Sequence, residues 1–128
     1  MAIRIEHVLP ASPAVVWAVI GDPGRVDWVP GVESCDYDGS VRRFGMPGAG
    51  QLAERILDLD PERRRLEYAV IESKPALEAH HASLQVDDHP DGALLVWETQ
   101  VQPEAVEPFI RKNMDAALIQ LEAVLAAG

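Results

Sequence analysis

A few side chains in this sequence could exchange protons with a bound molecule or hydrogen-bond to it, and each stands in an alternating run typical of a β-strand. These side chains are Glu54, Tyr68, His80 and Trp97. A glutamate enclosed in a dry pocket has a raised pKa and can act as a general base, and a histidine can act as an acid or a base. Tyrosine and tryptophan can stack on a ligand or hydrogen-bond to it. The available chemistry is recognition of an organic molecule or proton transfer to it.

Each of these assignments has a structural alternative. Glu54 would face outward or form a salt bridge if the strand register slipped. His80 would sit at a pocket rim, hydrogen-bonded to a neighbour, while Tyr68 and Trp97 would pack in the core. His81 directly follows His80, so the two imidazoles point to opposite faces of a strand and cannot chelate one metal together.

The sequence contains no recognisable metal or cofactor motif. Its single cysteine, Cys35, excludes an intramolecular disulfide and a cysteine-based metal cage. A serine–histidine–aspartate order, a phosphate-binding loop, a dinucleotide fingerprint and zinc-ligand spacing are also missing. We therefore expect no cofactor and no bound metal, and we interpret Cys35 as a small strand residue.

The elements that position these side chains follow from periodicity and turn signals. Residues 2–9 alternate as a first strand. Ser12 and Pro13 supply an N-cap and a first-turn proline for a short helix over residues 14–20, and a second short helix is expected over residues 23–28. Strand pairs separated by turn residues then follow, namely 32–37 with 41–44, 51–58 with 65–72, and 78–86 with 93–101.

The last predicted element is a long amphipathic helix after Pro103. Because Pro108 is tolerated only near a helix start, the regular helix should begin near Glu107. Its apolar side chains repeat every three or four residues as one stripe, made of Val106, Phe109, Ile110, Met114, Ala117, Leu118, Leu121, Val124 and Leu125. Asn113 is a polar residue on this stripe. The order of elements predicts a single α+β domain over residues 1–128.

Hairpin register assigns side chains to the faces of the sheet. A tight turn at residues 89–92 places Leu84 opposite Trp97, and opposed residues share a face. Continuing along the strand adds His80 to that face, and pairing the preceding strand across the loop at residues 73–77 adds Tyr68. An apolar concave face with a few polar groups is typical of a small-molecule site.

The register around Glu54 is open by one residue, and a slip would turn every side chain of that strand to the other face. We expect Leu52, Glu54 and Ile56 to point inward, because the alternative face carries Gln51 and Arg55.

Several segments resemble, in chain order, the START-like helix-grip superfamily, also called SRPBCC, and within it the polyketide cyclase/dehydrase and lipid-transport group. The resemblance covers essentially the whole chain and is carried by Ala11-Ser12-Pro13-Ala14-Val15-Val16-Trp17, by Asp27-Trp28-Val29-Pro30-Gly31-Val32, by Glu54-Arg55-Ile56 with Asp60-Pro61 and Arg65-Leu66-Glu67-Tyr68, by Gly92 with Val96-Trp97-Glu98, and by the terminal helix. It implies a helix-grip fold, in which a curved antiparallel sheet wraps around a long C-terminal helix and leaves a cavity between them. Members bind lipids, sterols, polyketides, hormones or quinones, and some are enzymes.

The expected ligand-binding residues combine the concave face with the inner side of the last helix. They are Glu54, Tyr68, His80, Leu84, Trp97, Phe109, Asn113 and Met114, with Glu54 and His80 as the candidate catalytic acid/base groups. The glycine-rich run over residues 45–50 is expected to form a flap over the pocket.

Charge and composition narrow the partners. A formal net charge of -10 disfavours nucleic acid and anionic membrane surfaces. No apolar run is long enough to span a membrane, the N-terminus lacks a signal-peptide pattern, and a single cysteine suits a reducing compartment, so we expect a cytoplasmic protein. It could be a monomer or a homodimer.

Three functions remain open from the sequence. The first is binding or transport of a hydrophobic small molecule in the cavity. The second is a polyketide cyclase or dehydratase activity that uses Glu54 or His80. The third is a protein-partner or toxin-like module, which an exposed apolar patch near Leu94 and Val96 would indicate.

Overall fold

The computed structural model describes residues 2–46, 50–74 and 76–127. Within them, seven strands form one antiparallel sheet in the order β1-β7-β6-β5-β4-β3-β2, and a long helix closes the chain. The elements are β1 (Ala2–Leu9), α1 (Pro13–Ile20), β2 (Asp36–Tyr37), β3 (Val41–Met46), β4 (Gly50–Asp60), β5 (Arg65–Glu72), β6 (Ala79–His89), β7 (Gly92–Gln102), a 3-10 turn (Glu104–Val106) and α2 (Glu107–Ala127). The predicted α+β helix-grip architecture is confirmed.

Helix α1 begins and ends where the sequence predicts. The Ser12 hydroxyl accepts a hydrogen bond from the Val15 N–H at 3.3 Å, and Pro13 occupies the first turn. The helix ends at Gly21, whose N–H donates to the carbonyl of Trp17. A side chain at Gly21 would collide with the Trp17 indole, since a Cβ there would lie 2.4 Å from Trp17 Cε2.

The second short helix predicted over residues 23–28 does not form. This segment instead runs through hydrogen-bonded turns, such as the one in which the Val29 N–H donates to the Val26 carbonyl at 3.0 Å. The Asp22 carboxylate accepts the Gly24 N–H at 3.2 Å. Because that bond would equally cap a helix, the reason for the correction lies in the segment itself, which is short and contains Gly24, a poor helix former.

The central hairpins have the predicted register. Leu84 pairs with Trp97 and His80 with Val101, so each pair shares one face of the sheet. Leu66 pairs with Leu84 in the next ladder. The predicted strand over residues 32–37 is shorter than expected, because only Asp36–Tyr37 pairs with β3.

Strand β4 turns Glu54 inward, as predicted, but its ladder with β5 has two irregularities. Glu54 pairs with Val70, and the register shifts between Ala53 and Glu54 and again after Ile56. Leu52, Ala53 and Glu54 are all buried, although they are consecutive. The first irregularity leaves Ile71 of β5 unpaired and the second leaves Leu57 of β4 unpaired, and each such bulge bends its own strand.

The buried apolar side chains form two separate clusters. The larger, which we call the packed core, joins β1, α1, β5, β6, β7 and the C-terminal half of α2, and its fully buried members include Leu9, Ile20, Leu66, Leu84, Leu95 and Leu121. The smaller, which we call the outer cluster, consists of Val26, Val32, Phe44 and Leu52. The candidate site lies between the two clusters.

Helix α2 starts at Glu107, after the 3-10 turn, as Pro108 predicts. Two polar contacts hold its C-terminal half in place. Glu122 Oε1 lies 2.6 Å from His7 Nε2 on β1. On the other side, Gln120 Nε2 donates to the carbonyl oxygen of Asp27 at 2.6 Å.

Candidate ligand-binding site

A cavity of about 370 Å³ lies between the sheet and the N-terminal half of α2. A cavity of about 150 Å³ suffices for benzene, so this one has room for a molecule of about two fused rings. Its apolar wall comes from both sheet and helix and consists of Val26, Trp28, Val29, Phe44, Met46, Leu52, Val70, Leu77, Ala105, Val106, Phe109, Ile110, Met114 and Ala117. Its polar wall consists of Arg42, Glu54, Tyr68, Ser73, Lys74, His80, Trp97, Thr99 and Asn113.

Every residue that the sequence predicts to bind a ligand lies on this wall except Leu84. The side chain of Leu84 is fully buried, with an exposure of 0%, in the packed core. It shares a face with Trp97, as the register requires, but it lies at the part of the sheet that the packed core fills. Leu84 is therefore a core residue, and its assignment to the site is wrong.

The Glu54 carboxylate is buried and paired with a cation that sequence reasoning missed. Arg42 lies directly opposite Glu54 on β3, and its Nε donates to Glu54 Oε1 at 2.8 Å. Both side chains are at most 10% exposed. Glu54 is thus both inward-facing and salt-bridged, two features that were expected to exclude each other. Pairing residues 41–44 with 51–58 across the predicted loop would have placed the two residues opposite each other.

The guanidinium of Arg42 is further held by its surroundings. Nη1 donates to the carbonyl oxygen of Pro23 at 3.4 Å, and the guanidinium carbon lies 5.0 Å from the centre of the Tyr68 ring. Burial is the largest single influence and would lower the pKa of Arg42, but the charge and hydrogen bond of Glu54 together with the charges of Tyr68 and Cys35 outweigh it, and the pKa is raised above its ordinary value. Arg42 is therefore a permanent cation in the cavity wall.

Tyr68 and Trp97 form a hydrogen-bonded pair on the sheet. The Trp97 Nε1–H donates to the Tyr68 hydroxyl at 3.2 Å. Burial raises the pKa of Tyr68, and the charge of Glu54 adds to the effect. Tyr68 consequently stays protonated. Trp28 completes this wall, with its ring 5.6 Å from that of Trp97 and tilted by 59°.

His80 is a neutral hydrogen-bond donor toward the cavity. Its Nδ1 accepts the Val70 N–H at 3.1 Å, in place of a backbone pairing, because the β5–β6 ladder ends two pairs earlier at Tyr68 and Ala82. With Nδ1 accepting, the proton lies on Nε2. Burial, and secondarily the charge of His81, lowers the pKa of His80 to about 4.

Smaller polar contacts line the helix side. Asn113 Nδ2 lies 4.0 Å from the sulfur of Met46, and the Thr99 hydroxyl lies 3.6 Å from the sulfur of Met114. The exposed members of the wall, including Phe109, come from the β5–β6 loop and the start of α2. The cavity therefore opens between these two segments.

Other sequence expectations have mixed outcomes. The expected glycine-rich flap includes residues 47–49, which lie outside the described residues. Leu94 and Val96 are half-buried rather than an exposed patch, because β1 pairs alongside them. Cys35 is half-buried, and burial raises the pKa of its thiol. A reactive thiolate is therefore not favoured there.

The described residues hold neither a cluster of metal-ligating side chains nor a membrane-spanning helix. Residues 2–46, 50–74 and 76–127 contain no group of three or more metal-ligating side chains. Within the same ranges, no helix is long and apolar enough to cross a membrane.

Comparison with known proteins identifies a family model and solved structures of the same fold. The model described as polyketide cyclase / dehydrase and lipid transport matches residues 2–126, whereas no curated protein matches the chain. The protein XoxI from Bacillus cereus is 20% identical, with a TM-score of 0.85 over 98% of this chain and 94% of that one. A Thermobifida fusca protein is 25% identical, with a TM-score of 0.83 over 98% and 93%. Ara h 8.0201 is 13% identical, with a TM-score of 0.80 over 100% and 99%.

Proposed function

This chain belongs to the polyketide cyclase/dehydrase and lipid transport family, and we propose that it binds or carries a hydrophobic small molecule in the cavity between the sheet and α2. The observation that carries the proposal is the cavity itself, which is predominantly apolar and yet holds a buried ion pair in its wall. The family and the structural neighbours support a ligand-binding helix-grip fold.

The apolar wall supplies the driving force for binding. Removing ligand surface from water contributes about 25 cal/mol per Å² of apolar area, less the cost of association and ordering. The side chains around an empty apolar cavity also lack dispersion partners on one side. A ligand of about two fused rings would restore those contacts for residues such as Phe44, Leu52 and Ile110.

The polar groups support binding more than proton transfer. The Glu54 carboxylate is engaged by Arg42 at 2.8 Å, and the Nδ1 atom of His80 accepts a backbone N–H. A cyclase or dehydratase mechanism with either residue as base would first have to break one of these contacts. We therefore favour a binding protein, and the catalytic role of Glu54 or His80 stays an alternative.

The test uses N-phenyl-1-naphthylamine, an uncharged probe whose emission rises when it leaves water. We expect saturable binding by the native protein. Ile110→Trp should weaken that binding by about tenfold or more, because the larger side chain occupies the cavity that Ile110 lines.

The matched control is Ile119→Trp, the same substitution on the same helix at a side chain that is 72% exposed. It should bind the probe like the native protein. Absence of saturable binding by the native protein, or equal loss in both variants, would contradict the proposal.

A further inference from the structure

In the ion pair of the cavity wall, one guanidinium nitrogen and one carboxylate oxygen make no hydrogen bond to the described residues. Arg42 donates from Nε and Nη1 only, and Glu54 accepts at Oε1 only, among the residues that the structure describes. No buried side-chain nitrogen or oxygen of the described residues lacks a partner. Arg42 Nη2 and Glu54 Oε2 must therefore border open space, and since both residues line the cavity, that space is the cavity.

Tyr68 adds a second donor beside this pair. Its hydroxyl oxygen accepts from Trp97, while its own O–H has no acceptor among the described residues. The ring of Tyr68 lies 5.0 Å from the Arg42 guanidinium. A ligand group at this place thus meets donors from Arg42 and Tyr68 and an acceptor from Glu54.

The charge balance of the wall disfavours an ionised ligand. A carboxylate at Arg42 Nη2 would lie next to the Glu54 carboxylate and would lose its hydration on entry. A cation at Glu54 Oε2 would likewise lie next to the Arg42 guanidinium, which would repel it. Lys74, the other permanently charged side chain of the wall, is exposed at the opening, where solvent screens it.

We propose that the cavity selects an uncharged, largely apolar molecule of about two rings that carries one group able both to donate and to accept a hydrogen bond, such as a carboxamide or a hydroxyl beside a carbonyl. Its acceptor receives the Arg42 Nη2–H and the Tyr68 O–H, and its donor binds Glu54 Oε2. This inference rests on the proposed function, because it assigns the ligand class of the same cavity.

Three nearly isosteric probes test it by titration calorimetry at neutral pH: 2-naphthamide, 2-acetylnaphthalene and 2-naphthoate. They present a donor with an acceptor, an acceptor alone, and an anion. We expect the amide to bind tightest, the ketone roughly fivefold weaker because one hydrogen bond is lost, and the carboxylate weaker than the amide by about tenfold or more.

Two variants locate the preference at the ion pair. Glu54→Gln leaves Arg42 as an unbalanced cation and should reverse the order, so that 2-naphthoate binds tighter than 2-naphthamide. Because an unpaired buried charge can prevent folding, the second variant is the double substitution Arg42→Met with Glu54→Leu. It removes both charges at similar volume and should abolish the preference for the amide over the ketone.

The outcomes separate the two proposals. Equal affinity for the three probes, tighter binding of 2-naphthoate by the native protein, or retention of the amide preference in the double variant would overturn the inference while the proposed function stood. If neither these probes nor N-phenyl-1-naphthylamine bound, the proposed function would fail and this inference with it.

Discussion

The two halves of helix α2 carry one continuous apolar stripe but face different surroundings. Toward the C-terminus, Leu118 and Leu121 are buried in the packed core. Toward the N-terminus, Ile110 lines the cavity and Phe109 is 43% exposed. A hydrophobic stripe thus indicates which side of a helix faces inward, but it does not reveal whether the facing sheet packs against that side or leaves a cavity.

The difference originates in the sheet rather than in the helix. The C-terminal half meets β1, β6 and β7, whose inward side chains fill the space. The N-terminal half faces β3, β4 and β5, where the β4–β5 ladder has bulges at Ile71 of β5 and at Leu57 of β4. Bulges bend a strand and increase its twist, and Val26 and Val32 of the loop after α1 pack with Phe44 and Leu52 in the outer cluster.

The largest expected effect comes from truncating the packed half. Leu121→Ala should lower the free energy of unfolding by about 4 kcal/mol, because it removes a fully buried side chain and leaves a void in a core that cannot collapse. Urea denaturation followed by far-UV circular dichroism measures it. A loss below about 1 kcal/mol would mean that this half is packed no better than the other.

A smaller effect should appear at the cavity end on acidification. His80 has a pKa of about 4 in the folded protein against 6.5 as its ordinary value. Above pH 6.5 neither state binds the proton, and between pH 6.5 and 4 only the unfolded chain does, so stability falls as the pH is lowered through this window. The loss attributable to His80 should be on the order of 2–3 kcal/mol by pH 4.

His80→Gln removes this group while keeping an acceptor for the Val70 N–H. Its stability measured by urea denaturation should fall less than that of the native protein between pH 6.5 and 4. His89→Gln, in the β6–β7 turn, is the matched control and should follow the native curve. Parallel curves for the native protein and His80→Gln would contradict the low pKa of His80.

The smallest effect on stability should come from the cavity half of α2. Phe109→Ala should change the free energy of unfolding by less than about 1 kcal/mol, because the side chain is partly exposed and borders an open cavity. Its affinity for N-phenyl-1-naphthylamine should nevertheless fall by about threefold or more. A stability loss equal to that of Leu121→Ala would erase the contrast between the two halves.

The fold could be predicted because its signals are local or nearly so. The register that pairs Leu84 with Trp97 follows from one tight turn, and the start of α2 follows from the position of Pro108. The helix expected over residues 23–28 did not form because the segment is short and contains Gly24, a poor helix former, and it runs through turns instead, which apolar spacing does not reveal.

The site could be predicted only in part, because it depends on distant segments. The inward direction of Glu54 was predictable from the polar residues on the opposite face of its strand. Its partner Arg42 was not found, because the register was not extended across the predicted loop from β4 to β3, although the β3–β4 ladder is regular. Leu84 was assigned to the site because a register gives the face of a residue but not how far along the sheet the packing extends.

The contacts of Glu122 with His7 and of Gln120 with Asp27 both hold the C-terminal half of α2. They anchor the C-terminal end of the helix, whereas the N-terminal end borders the cavity. We expect ligands to enter and leave when the N-terminal half of α2 moves away from the sheet, while the packed core stays intact. The rates of ligand exchange and of global unfolding should therefore vary independently, so that a substitution can change one of them without altering the other.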